Sequence, residues 1–378
     1  MDFSPIIEYV EQVLRKEKGV PGCDLVIKRD HETLLRYSSG VSDYAGERPV
    51  SDRDIYKMYS CTKVMTCVCA MQLVEQGILG LDDPVCKYLP EFEHVFLMKD
   101  EQKVRPQKAM TVRHLFTMSA GFNYNWRTQP ILDVIKENPH ASTLDIVNAL
   151  TRSPLQFEPG EQFLYSLCHD VLAAVVEVAS GMRFSQYMEK HIWKPLGMKN
   201  TGFQVTDSVI ERMAALYKCD EPGQVCPYPK YREFCLTDQY ESGGAGLYST
   251  VDDYSLFADA LACGGVGATG NRILKAQTID LLRTEQLKKY MMNPRFGCAA
   301  GPGYGYGLGV RTLIRKECAR SSLGEFGWDG AAGSYVMIDP AYHLSIFFAM
   351  HVRSWPKLIG HGHAAIRDLC YEVLGLNE

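Results

Sequence analysis

Hydrophobic positions near the start of the chain recur with a helical period. Ile6, Ile7, Val10, Val13 and Leu14 share one stripe, while Glu8, Glu11, Arg15 and Lys16 lie elsewhere. With Ser4 able to cap and Pro5 in the first turn, this predicts an amphipathic helix. The period then changes. Residues 23–29, with Leu25, Val26 and Ile27, and residues 33–37, with Leu34 and Leu35, read as strands. The polar Asp30, His31 and Glu32 between them read as a hairpin turn. From about residue 60 to 280 the pattern is mostly helical, broken by Pro/Gly loops, with runs at 64–77, 112–116, 144–150 and 171–178. Strand character returns at 307–314, 333–338 and 344–351, with a turn at 339–342, and 364–374 reads as a closing amphipathic helix.

Strands at both ends and helices in the middle predict an α+β fold of the α/β sandwich kind. One antiparallel sheet is formed by both chain ends and flanked by helices, and an all-helical domain is inserted. The expected units are 1–60 with 281–378, discontinuous and mixed α/β, and 61–280, mainly helical. A functional cleft is expected at their junction.

Composition narrows the function. The 378 residues carry a formal net charge of -5 with no Lys/Arg-rich block, so no field draws nucleic acid. The first helix lacks the continuous apolar core of a signal peptide, and no stretch reads as a membrane span. The expectation is therefore a cytoplasmic protein with no membrane partner. The 13 cysteines read as reduced thiols packed as small hydrophobes. Cys219, Cys226 and Cys235 lack paired Cys-x-x-Cys spacing, and no metal site is expected. His361 and His363 read as solvent-facing or as a contact at the start of the last helix.

The chemistry concentrates at Ser60-Cys61-Thr62-Lys63, at the head of an apolar helix. Lys63 falls one helical turn from Ser60, so its amine can reach the hydroxyl and take its proton. The spacing alone is weak, arising by chance about once in a chain of this length. Ser354 to Lys357 repeats it, but Pro356 makes that copy a loop. Tyr165 can complete a proton relay if a cation lies near its phenol. The run Gly324 to Ser334, containing Trp328, Asp329, Gly330 and Ala331, has the small residues that let a substrate approach backbone. The glycines at 303, 305, 307 and 309 lack a strand-then-helix context and read as a bend entering a strand. No Gly-x-Ser-x-Gly is present, which excludes the α/β-hydrolase elbow.

In combination, Ser60-x-x-Lys63, Tyr165-Ser-Leu167 and Trp328-x-Gly330 resemble the serine β-lactamase and penicillin-binding-protein superfamily, its class C-like branch, closest to the esterase-type members. Segments 81–84, 111–121, 195–198 and 242–250 look like the family's connecting segments. The resemblance implies Ser60 as nucleophile, Lys63 as its proton acceptor and Tyr165 as acid/base partner. The oxyanion would be held by the N–H groups of Ser60 and Ala331, and no cofactor or metal is implied. Trp328, Gly330, Tyr124 and Trp126 are the expected substrate-binding residues, the last two either lining an acyl pocket or packing their loop. His114 and His169 are expected to be structural. Two departures matter. Leu167 stands where penicillin-interacting members have asparagine, and Trp328-Asp329-Gly330 replaces Lys-Thr-Gly. Both favour an ester or other uncharged small-molecule acyl substrate. Asp329 is expected to be a surface carboxylate or to meet a substrate cation. The expected activity is hydrolysis of carboxylic esters through an acyl-enzyme. Acyl transfer, D-amino-acid peptidase or amidase activity, and a non-turnover penicillin-binding sensor are the alternatives.

Overall fold

The computed structural model describes residues 1–17, 19–221, 224–288, 302–354 and 361–376. Its framework is a seven-stranded antiparallel sheet of β1 (Gly22–Arg29), β2 (Glu32–Gly40), β3 (Tyr304–Tyr306), β4 (Arg311–Leu313), β5 (Phe326–Asp329), β6 (Tyr335–Asp339) and β7 (Leu344–Met350). The order across it is β2-β1-β7-β6-β5-β4-β3, so the two ends of the chain are joined along β1 and β7, with Val26 opposite Phe347. Two layers cover it. Leu25, Ile27, Ile346 and Phe348 face helices α1 (Ser4–Glu8, continuing as a wider helical turn to Glu17) and α5 (His363–Val373). Val26 and Phe347 face the other way, where Tyr254 of α4 (Val251–Ala262) stacks on Phe347 at 4.3 Å. Because side chains alternate along a strand, β1 is buried on both faces.

Beyond this face lie α2 (Thr62–Glu75) and α3 (Cys168–Ser180), packed together. Residues Thr62 to Leu73 of α2 are all buried, so the helix is enclosed on every side. Cys61, Cys67 and Cys69 are free, buried thiols within this packing, as expected.

Three local expectations change. Helix α1 begins at Ser4, whose N–H donates to the Asp2 carboxylate, so the capping side chain is Asp2 and not Ser4. The β1–β2 turn is two residues long, with Asp30 and His31 both left-handed (φ 50° and 68°) and Arg29 opposite Glu32. That geometry matches the twist of a hairpin, and Glu32 already belongs to the strand. Residues 303–314 are two strands, not one. The Gly307 N–H donates to Val310 O and Gly309 takes φ 87°, turning the chain between β3 and β4. A Cβ on Gly309 would meet Cys67 Sγ at 2.1 Å, so this turn is seated directly on α2. The second Ser-x-x-Lys copy lies largely outside the described residues.

Candidate active site

Ser60 lies in a single tight turn, Tyr59–Cys61, that feeds α2. Tyr59 takes φ 45°, a left-handed backbone rare for an aromatic residue. The turn is braced from several directions. Met58 N donates to Leu247 O, Tyr254 Oη to Cys61 O, Ser334 Oγ to Met58 O and Lys57 N to His351 Nε2. A strained backbone persists only when its surroundings fix it, and these contacts do so.

Lys63 is completely buried beside it. Its Nζ donates to Ser60 Oγ at 3.2 Å, Gly244 O at 2.6 Å and Tyr124 Oη at 3.4 Å, and lies 4.6 Å from the centre of the Tyr165 ring. Burial disfavours the ammonium, but Tyr124, Tyr165 and Asp170 outweigh it and hold Lys63 above the usual lysine range. The amine thus has three oxygen partners within hydrogen-bond reach.

Tyr165 is sandwiched. Tyr124 stacks on one side (5.3 Å, 3° between planes) and Trp328 on the other (5.7 Å, 16°). The Trp328 indole N–H donates to Tyr165 Oη at 3.2 Å. Trp328, expected against substrate, is 3% exposed and contacts Tyr165. Burial pushes the Tyr124 phenol up to about 12, so it stays a neutral donor and acceptor. Gly330 lies against the Tyr59–Cys61 turn, where a Cβ would meet Met58 O at 2.5 Å. Ala331 beyond it is exposed.

Asp329 is neither at the surface nor open to a substrate cation. Its carboxylate meets His363 Nδ1 at 3.0 Å and Arg311 Nη1 at 3.4 Å. Burial pushes its carboxyl up, and Arg311 and His363 overcome this and hold it below the usual range. His363 starts α5 as expected, but it is 1% exposed and not solvent-facing, and its Nε2 reaches Gly333 O at 3.2 Å. The pair anchors the far side of the 329–334 loop.

His169 and His114 are structural, as expected. Burial lowers His169 to about 3, and it contacts Phe116 O. Burial likewise lowers His114 to about 4, and it caps its own helix through Thr111 N.

The sequence reading missed two contributors. Asp170, in the first turn of α3, accepts from Tyr240 Oη (2.7 Å), Ser242 Oγ (2.6 Å) and Gly244 N (3.4 Å). It thereby shapes the loop whose Gly244 carbonyl grips Lys63. The only local signal was an acid at the start of a helix. The second is the segment 228–236. Phe234, left-handed at φ 65°, packs against Trp126 (5.7 Å), Tyr59 (6.1 Å) and Tyr124 (6.4 Å). Trp126, Tyr228, Tyr231, Phe234 and Leu236, together with Arg127, Lys230, Arg232 and Glu233, line a cavity of about 480 Å³. Glu233 pins the segment, accepting from Arg353 at 2.5 Å and from Tyr59 Oη at 3.2 Å.

A buried Ser–Lys pair under a clamped tyrosine, at the rim of an antiparallel sheet, defines a serine enzyme of the hydrolase and acyltransferase kind. The Beta-lactamase family model matches residues 7–370, and the chain belongs to that family. Esterase EstB of Burkholderia gladioli is 27% identical, covering 96% of this chain and 93% of its own. Protein Rv1367c of Mycobacterium tuberculosis is 28% identical, covering 89% and 86%. Among solved structures, EstCE1, a hydrolase with promiscuous acyltransferase activity, superposes with a TM-score of 0.81 at 25% identity over 98% of both chains. No helix among the described residues is long and apolar enough to cross a membrane.

Proposed function

We infer that this protein is a serine esterase that cleaves small-molecule carboxylic esters through an acyl-enzyme on Ser60. The observation that carries this reading is the 3.2 Å contact of Lys63 Nζ with Ser60 Oγ beneath Tyr165. Ser60 Oγ attacks the ester carbonyl carbon, and its proton passes to the Lys63–Tyr165 pair. The N–H groups of Ser60 and Ala331 hold the oxyanion as the tetrahedral centre collapses. The relayed proton goes to the departing alkoxide, and water then attacks the acyl-enzyme by the same route. The amine form of Lys63 takes the Ser60 proton, and Tyr165 passes it on to the leaving group. Leu167 offers no hydrogen bond to a substrate amide.

The test is hydrolysis of p-nitrophenyl butyrate by the wild type and by Ser60→Ala. Turnover that falls to background in the variant, with fluorophosphonate labelling of Ser60 lost in parallel, supports the reading. Equal activity in both proteins removes Ser60 as the nucleophile. Acyl transfer is the second reading, favoured by the likeness to EstCE1, a hydrolase with promiscuous acyltransferase activity. Added alcohols would then yield transfer product faster than hydrolysis.

A further inference from the structure

Away from the catalytic turn, the tip of the β1–β2 hairpin meets the C-terminal end of α4. There His31 Nδ1 lies 2.8 Å from Asp259 Oδ2, and the His31 N–H donates to Asp259 Oδ1 at 3.2 Å. Cys263 Sγ lies 4.0 Å from Asp259 Oδ1. All three donor atoms fall within 4.8 Å of one another. Asp259 is 1% exposed, whereas the His31 side chain is 34% exposed and opens the cluster to solvent.

The placement is electrostatically unusual. Asp259 lies in the last turn of α4, and Cys263 caps it. The carbonyl ends of a helix carry partial negative charge, so a buried carboxylate is unfavourable there and a cation is favoured. Next to the cluster, Asp30 adds a further carboxylate, held by His343 Nδ1 at 2.6 Å. Lys28 lies on the same strand but directs its amine to Thr33 Oγ1. His31 meets the Asp259 carboxylate with its ring nitrogen and its backbone N–H. A divalent ion answers it fully.

We propose that His31, Asp259 and Cys263 bind one divalent transition-metal ion, zinc by the chemistry of the donor set, and staple the β1–β2 turn to α4. One imidazole nitrogen, one carboxylate oxygen and one thiolate are the mixed set that zinc accepts in tetrahedral sites, with water in the fourth position. On binding, His31 gives its Nδ1 lone pair and keeps the proton on Nε2. The Cys263 thiol releases its proton to solvent as the metal–sulfur bond forms. The ion would brace the helix whose Tyr254 holds the carbonyl of Cys61, next to the nucleophile. The residues come from opposite parts of the sequence, so no spacing motif announces them.

The experiment uses the full chain, freed of metal with a chelator that is then removed, and titrated with cobalt(II) chloride as the probe. The wild type should bind one equivalent and develop a thiolate-to-cobalt charge-transfer band that zinc chloride abolishes. Cys263→Ser should lose the band. His31→Gly, which suits the left-handed turn, should weaken binding by about tenfold or more. Zinc should raise the Tm of the wild type, raise that of His31→Gly less, and leave that of Cys263→Ser unchanged. Circular dichroism of the metal-free variants confirms that they fold. The proposal is overturned if the wild type shows no band, or if the band and the zinc-dependent Tm shift persist unchanged in Cys263→Ser, which would place binding at other thiols.

Discussion

On the proposed mechanism, Trp328 serves the reaction through Tyr165. Its indole both stacks on Tyr165 and donates to the phenolic oxygen. Trp328→Phe keeps the stack and removes the donor. Steady-state kinetics on an ester should then show kcat reduced by about tenfold with KM little changed, the worth of one hydrogen bond to a developing charge. The paired tyrosines separate in the same assay. Tyr165→Phe should cost about 10² to 10⁴ in kcat, the range of a lost general acid/base. Tyr124→Phe, which removes only a 3.4 Å contact to Lys63, should cost about tenfold at most. Equal losses would remove the distinction between the two roles, and a larger loss in Tyr124→Phe would reverse it. The Ser60–Lys63 pair was legible in sequence because its spacing is local to one helix. The Trp328–Tyr165 contact was not, since it joins segments far apart in the chain. Asp329 misled for the same reason: an acid beside a glycine reads as surface until Arg311 and His363 arrive from β4 and α5.

Among the elements, the nucleophile turn is held from behind by the chain that leaves β7. His351 accepts the Lys57 N–H on Nε2 and presents Nδ1 to Ala214 O at 2.7 Å. Burial lowers this ring to about 4 from a usual 6.5. The folded protein thus resists a proton that the unfolded chain takes readily. The stability from neutral His351 is complete above pH 6.5 and is lost as pH falls toward 4, by up to about 3 kcal/mol. Denaturant melts of wild type and His351→Gln across that window should converge as the pH drops, with the wild type falling faster. A constant gap would rule out this linkage. Element type was largely readable from periodicity, as the strands at 344–350 and the helix at 62–75 attest. The glycine-rich 303–309 stretch was not, because glycine permits a bend, an edge strand or a turn, and only the seat on α2 selects among them.

At the scale of the whole molecule, α1 and α5 together cover the outer face of the sheet, with Ile6, Val10 and Leu14 against Ile366, Cys370 and Tyr371. Removing residues 1–17 should leave Leu25, Ile27 and Ile346 uncovered. The truncated protein should bind a hydrophobic dye strongly and aggregate on gel filtration, whereas a monomeric, dye-silent product would show α1 to be dispensable. The sheet itself has a consequence in time. The β1–β2 hairpin emerges early from the ribosome, yet β1 finds its second neighbour only when Phe347 appears opposite Val26. At roughly 5–20 residues per second, that wait is on the order of tens of seconds. Through it, one edge of a strand carrying Leu25, Val26 and Ile27 stands without a partner, open to pairing with another chain.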